Sequence, residues 1–117
     1  MVVDDDRDLC ENLWDVLHEQ GYRVCVAHDE LQAEGRLRER TYKVVLIDMK
    51  LSKEDGGQRV YEIVRQSNPA ARVILITGFR TEMNRPVQRL VAEGADAVSY
   101  KPFDLPDLLA TLKRLAS

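Results

Sequence analysis

The sequence predicts an α/β protein in which a parallel sheet carries helices on both faces. Three observations lead there. Short apolar runs alternate with longer stretches of helical periodicity. Two of those runs, Val44-Val45-Leu46-Ile47 and Val73-Ile74-Leu75-Ile76, are apolar throughout, as central parallel strands covered on both sides require. Finally, the 117 residues, 44% of them hydrophobic, supply one core and leave little room for a second. Residues 1–117 are therefore expected to form a single domain.

The first strand is Val2-Val3; it is short because the chain opens just before Asp4, which suggests a domain cut from a longer protein. Leu9, Leu13, Val16 and Leu17 share one face of the first helix, which Gly21 ends. Tyr22 to Ala27 reads as the second strand, and Leu31 and Leu37 mark a second helix weakened by Gly35. Val44 to Ile47 follows as a strand, then a helix on Val60, Ile63 and Val64 that stops at Asn68-Pro69. Val73 to Ile76 is the fourth strand. Phe79 to Asn84 reads as loop, Pro86 falls in the first turn of a helix carrying Val87, Leu90 and Val91, and Gly94 closes it. Ala97 to Tyr100 is the last strand. Asp104 caps a final helix bearing Leu105, Leu108, Leu109, Leu112 and Leu115.

Composition removes several function classes. A formal net charge of −3 argues against nonspecific nucleic-acid binding by this domain, which needs a basic surface. No apolar run approaches the roughly 20 residues that span a bilayer. Met1-Val2-Val3-Asp4-Asp5-Asp6 has neither the basic nor the apolar part of a signal peptide. Cys10 and Cys25 form no metal-spaced pair and no disulfide framework, so a reducing, cytoplasmic setting is expected.

In an open α/β sheet, ligands bind outside the carboxyl ends of the strands. Asp4 and Asp5 close the first strand, Asp48 the third, Thr77 the fourth and Lys101 the fifth; the second contributes nothing obvious. Carboxylates gathered there repel by roughly 1 to 4 kcal/mol per pair, so the cluster must shift its pKa values or bind a cation. An all-oxygen ligand set suits magnesium. A lysine able to pair with phosphate oxygens and a threonine hydroxyl able to donate to one complete the equipment for phosphoryl transfer onto a carboxylate.

Val3-Asp4-Asp5, Leu46-Ile47-Asp48 with Asp55-Gly56, Ile76-Thr77-Gly78 and Lys101-Pro102-Phe103, in that order, resemble the receiver domain of two-component response regulators. Each piece alone is weak; the ordered set spans essentially the whole chain. The resemblance implies a flavodoxin-like (βα)5 sandwich with strand order 2-1-3-4-5. It implies Asp48 as phosphoacceptor and Asp5 as a direct Mg2+ ligand, with Asp4 acting through water and the Lys50 backbone carbonyl completing the protein's share; Mn2+ is an alternative ion. Thr77 would follow the phosphoryl group and Lys101 contact one of its oxygens, next to a Lys101-Pro102 bond that is usually cis. The implied donor is a histidine kinase or histidine phosphotransfer domain, and the face of helix 4, strand 5 and helix 5 would report the state or form a dimer.

Asp6 or Asp8 reads as a helix cap. His18 and His28 read as surface residues, and Cys10 and Trp14 as the partly buried edge of the first helix's core stripe. The sharper reading of that pair is a docking surface for a histidine-bearing helical bundle. Three departures from the family stand out. Ser52 replaces a usual proline. Val98 holds the place of the switch Tyr or Phe, with Tyr100 on the same strand face as a substitute. Lys50 and the bulky Phe79 occupy positions that tune the acyl phosphate's lifetime, and predict a long one. Two rival functions remain: a pseudo-receiver that binds partners without phosphorylation, and a haloacid-dehalogenase-like phosphatase. The latter usually has a second aspartate where Lys50 stands, and is longer. The short first strand and missing switch ring tilt the reading toward a receiver from a hybrid histidine kinase.

Overall fold

Neighbouring residues of an extended chain face opposite ways, so an unbroken apolar strand feeds two cores at once. That is how the two central strands are used in the computed structural model, which describes residues 1–51, 56–78, 84–101 and 104–116. In chain order its elements are β1 (Val2–Val3), α1 (Arg7–Glu19), β2 (Val26–Ala27), α2 (Glu30–Glu39), β3 (Val44–Asp48), α3 (Gly56–Ser67), β4 (Arg72–Thr77), α4 (Asn84–Glu93), β5 (Ala97–Tyr100) and α5 (Leu105–Ala116). The five strands form one parallel sheet in the order β2-β1-β3-β4-β5. This is the flavodoxin-like architecture expected from the sequence.

Val45, Ile47, Val73 and Leu75 pack with Ala33 and Leu37 of α2, Val60, Tyr61 and Val64 of α3, and Val87 and Leu90 of α4. Their neighbours Val44, Leu46, Ile74 and Ile76 face the other way, onto Cys10, Leu13 and Leu17 of α1 and Leu108 and Leu112 of α5. Burying each large aliphatic side chain contributes about 1.5 to 3 kcal/mol.

The ends follow local chemistry. Asp6 caps α1 by accepting from the Leu9 N–H at 3.1 Å, and Asp29 caps α2 by accepting from Gln32 at 2.8 Å. Asp104 accepts from the Asp107 N–H at the start of α5. Gly94, at φ +126°, closes α4, with the Ala95 N–H reaching back to the Leu90 carbonyl. At the amino edge of the sheet Arg65 acts as a staple. Its guanidinium donates to the carbonyls of Ala71 (2.7 Å) and Gly94 (2.9 Å) and to the Tyr61 hydroxyl (3.1 Å).

Several expectations need correction. The second strand is laddered only over Val26–Ala27, not from Tyr22, because β1 offers just two residues to pair with. Near the unladdered part, Tyr22, Val24, Cys25, Tyr42 and Val44 line a cavity of about 460 Å³. Leu31 is solvent-exposed (79%) rather than core. Cys10 is fully buried, not an edge residue, whereas Trp14 is exposed and stacks on His18 with ring centroids 4.6 Å apart. The fourth helix begins at Asn84, one residue earlier than expected. Ser52, Asp55, Phe79, Pro102 and Phe103 lie outside the described residues.

Candidate functional site

The register of the sheet fixes what meets at its carboxyl edge. Val3 pairs with Ile47 across β1 and β3, Asp48 with Ile76 across β3 and β4, and Thr77 with Tyr100 across β4 and β5. Asp4, Asp48, Thr77 and Lys101 therefore emerge side by side. Asp4, Asp48 and Thr77 are buried, Asp5 is exposed and Lys101 is intermediate. One carboxylate oxygen from each of Asp4, Asp5 and Asp48 lies within 4.8 Å of the others. Lys101 Nζ stands 3.1 Å from Asp4 Oδ2 and 3.7 Å from Asp48 Oδ2.

Backbone donors hold two of these acids. Asp4 Oδ1 accepts from the Asp6 N–H at 3.0 Å, and Asp48 Oδ1 from the Lys50 N–H at 3.1 Å. The start of α3 closes on the same strand end. A Cβ on Gly57 would lie 2.7 Å from the Asp48 carbonyl oxygen and 2.6 Å from Met49 Cα, so only glycine fits.

The electrostatics leave the cluster short of positive charge. Burial and then the neighbouring Asp4 push the Asp48 carboxyl up to about 6, against the opposing pull of Lys101 and the Lys50 N–H. Burial works against charge on Lys101, but Asp48 and Asp4 together outweigh it and hold its pKa above the ordinary value. Asp4 Oδ2 is buried without a hydrogen bond of good geometry among the described residues; the Lys101 ammonium is its ionic compensation. One lysine against three carboxylates, all of them oxygen donors, is an arrangement that suits a hard divalent cation.

The expected residues Asp4, Asp5, Asp48 and Lys101 are thus brought together, with Thr77 beside them and Lys50 contributing its N–H. Val98 is half-buried and packs toward the core shared by α2, α3 and α4, while Tyr100 is 44% exposed. His28, expected at the surface, is half-buried. It follows β2, the strand end that appeared empty, and its Nδ1 lies 3.2 Å from the Asp4 carbonyl oxygen. Its position directly after a strand at the carboxyl edge was the available signal.

The family model of the response regulator receiver domain matches residues 1–113. The chain belongs to that family. Among relatives of this receiver domain, the transcriptional regulatory protein ZraR of Klebsiella oxytoca is 34% identical over 112 residues, covering 96% of this chain and 25% of the relative. A CpxR homolog of Haemophilus influenzae is 33% identical over 98% of this chain and 48% of its own length. The chain thus spans between a quarter and a half of these relatives. A response regulator from Burkholderia pseudomallei, solved with a phosphorylated aspartic acid, a calcium ion and citrate, superposes with a TM-score of 0.83. That match is 28% identical and covers 98% of this chain and 66% of the other. A CheY-like receiver domain from Methanospirillum hungatei JF-1 gives 0.84 at 28% identity, over 97% and 88% of the two chains. The receiver domain is a module of two-component signalling. No helix among its described residues is long and apolar enough to cross a membrane.

Proposed function

We propose that Asp48 accepts a phosphoryl group from a phosphohistidine on a partner histidine kinase or histidine phosphotransfer domain. The observation that carries this is the buried Asp48 carboxylate flanked by Asp4, Asp5 and Lys101 at the open edge of the sheet. In the step itself an Asp48 oxygen attacks phosphorus, the O–P bond forms, the N–P bond breaks, and the freed imidazole takes up a proton. Asp4, Asp5, Asp48 and the Lys50 carbonyl would hold Mg2+, or Mn2+ in its place, which when bound neutralises charge on the transferring group. Lys101 exchanges its carboxylate partners for a phosphoryl oxygen, and Thr77 donates to another. The calcium ion and phosphorylated aspartate of the Burkholderia pseudomallei relative support this reading.

The domain promotes only its own phosphorylation and dephosphorylation, works in the cytoplasm, and reports its state through the face of α4, β5 and α5, which is also where a dimer would form. Val98 leaves no ring at the usual switch position, so Tyr100, paired with Thr77 across the ladder, takes over that coupling. A long-lived acyl phosphate is the expectation from the bulky Phe79 that follows Gly78 in the sequence. Residues 1–117 act as one receiver unit of a longer protein. The matched relatives named transcriptional regulators favour such a regulator over a hybrid kinase as its parent.

Intact mass after incubation with magnesium and acetyl phosphate tests the acceptor. A single magnesium-dependent phosphate adduct is expected, absent from Asp48→Asn. A folded protein that takes no adduct from any small donor would leave a pseudo-receiver as the better reading.

A further inference from the structure

We infer that the cavity at the amino edge of the sheet is a binding site for a small aliphatic carboxylate, held with its apolar tail inside and its head at the mouth. The cavity lies between the entries to β2 and β3, at the edge of the sheet opposite the acidic site. Its volume of about 460 Å³ falls within the range of about 300 to 1,000 Å³ usual for small-molecule sites.

The wall is apolar on the inside. Leu17 of α1, Leu46 of β3 and Leu112 of α5 line it, and all three belong to the core on that face of the sheet. An alkyl chain placed against them leaves water, which is favourable in proportion to the area covered.

The charged side chains of the lining choose the head group. They are Arg23, Arg40 and Lys43, each exposed and therefore at the mouth, and no carboxylate stands among the lining residues. That bias runs against a chain in which acids outnumber bases by 20 to 17. Arg38, Arg65 and Arg72 each have a carboxylate close by, at 2.9, 3.9 and 3.2 Å. Among the described residues, Arg23, Arg40 and Lys43 form no such ion pair.

Tyr42 adds a neutral donor to the same wall. Burial and then a hydrogen bond with Cys25 push its hydroxyl up to about 12, against the opposing pull of Arg40 and Arg36, so it keeps its proton. Three cations and a hydroxyl suit a head group that only accepts hydrogen bonds, as a carboxylate does.

Three probes with one tail and different heads test this: octanoate, 1-octanol and octylammonium, each below the concentration at which it forms micelles. Calorimetry and amide shifts are expected to show saturable octanoate binding that moves the signals of Val24, Tyr42 and Val44. Its affinity should exceed that of octanol about tenfold, with octylammonium weaker still. Arg40→Gln should cost octanoate about two- to threefold, and Arg23→Gln, Arg40→Gln and Lys43→Gln together about tenfold, with octanol binding unchanged. Asp48→Asn, at the other edge, should bind octanoate as wild type does. Acetate, a head without a tail, should not compete. No saturable octanoate binding, equal affinity for the three heads, a preference for octanol, or wild-type octanoate affinity in the triple variant would each overturn the assignment.

Discussion

Asp48→Asn should stabilise the metal-free domain at neutral pH, although it removes one partner of an ion pair. The Asp48 carboxyl rises from 3.8 to about 6 on folding, chiefly through burial and then through Asp4. A rise of that size corresponds to about 3 kcal/mol of preference for the uncharged form, which wild type forgoes at pH 7.5. Asparagine supplies an uncharged side chain of the same shape and still accepts from the Lys50 N–H. It also leaves Lys101, which stands between two carboxylates, with Asp4 alone. We expect a net gain of about 1 to 2 kcal/mol, or roughly 3 to 10 °C in melting temperature. A carboxyl raised on folding contributes stability that is present below its unfolded pKa and lost as pH rises through the folded one. The advantage of Asp48→Asn should therefore shrink as pH falls through about 6 and vanish near 4. Magnesium should reverse the comparison, because wild type would gain about 2.7 kcal/mol at a hundredfold excess over Kd and the variant less. Thermal melts in chelator and in magnesium, at several pH values, give all of these differences. Equal or lower stability of Asp48→Asn in chelator at pH 7.5 would refute the electrostatic account.

Gly57→Ala places a Cβ 2.6 Å from Met49 Cα and 2.7 Å from the Asp48 carbonyl oxygen. The backbone must yield, costing about 1 to 3 kcal/mol by analogy with overpacked cores, and acetyl phosphate labelling should slow while the denaturation midpoint falls. Leu75→Ala empties a fully buried position of β4 and should cost about 2 to 5 kcal/mol in urea unfolding, with magnesium affinity little changed. Tyr100→Ala should still take phosphate on Asp48 yet lose phosphorylation-dependent shifts in the amides of β5 and α5. Shifts of wild-type size would remove Tyr100 from the switch.

What the sequence revealed was what depends on periodicity and on strand ends. Runs such as Val73 to Ile76 declared two-sided burial, and the acids after Val3 and Ile47 were legible because a parallel sheet gathers its carboxyl ends. Harder to read were features set by a neighbour. Tyr22 to Val24 have the side chains of a strand, but a ladder needs a partner, and β1 ends after two residues. Leu31 has helical spacing, yet the turn that carries it faces solvent, and Ala33 and Leu37 take the core. Cys10 seemed to flank the stripe; its thiol fits under the Asp4 carbonyl. His28 reads as a surface residue for the same reason, since its contact with the Asp4 carbonyl lies twenty-four positions away along the chain.

The Arg65 staple gives the domain a fixed end. One guanidinium joins the last turn of α3 to the entry of β4 and the exit of α4, all at the edge remote from Asp48. At the opposite edge stand Asp4, Asp5, Asp48 and Lys101, charges whose balance a bound cation or phosphoryl group would change. A change there works against an anchored base, as a jaw works against its joint. The acidic site lies at the carboxyl ends of the strands, while the far ends of α3, β4 and α4 are joined through Arg65.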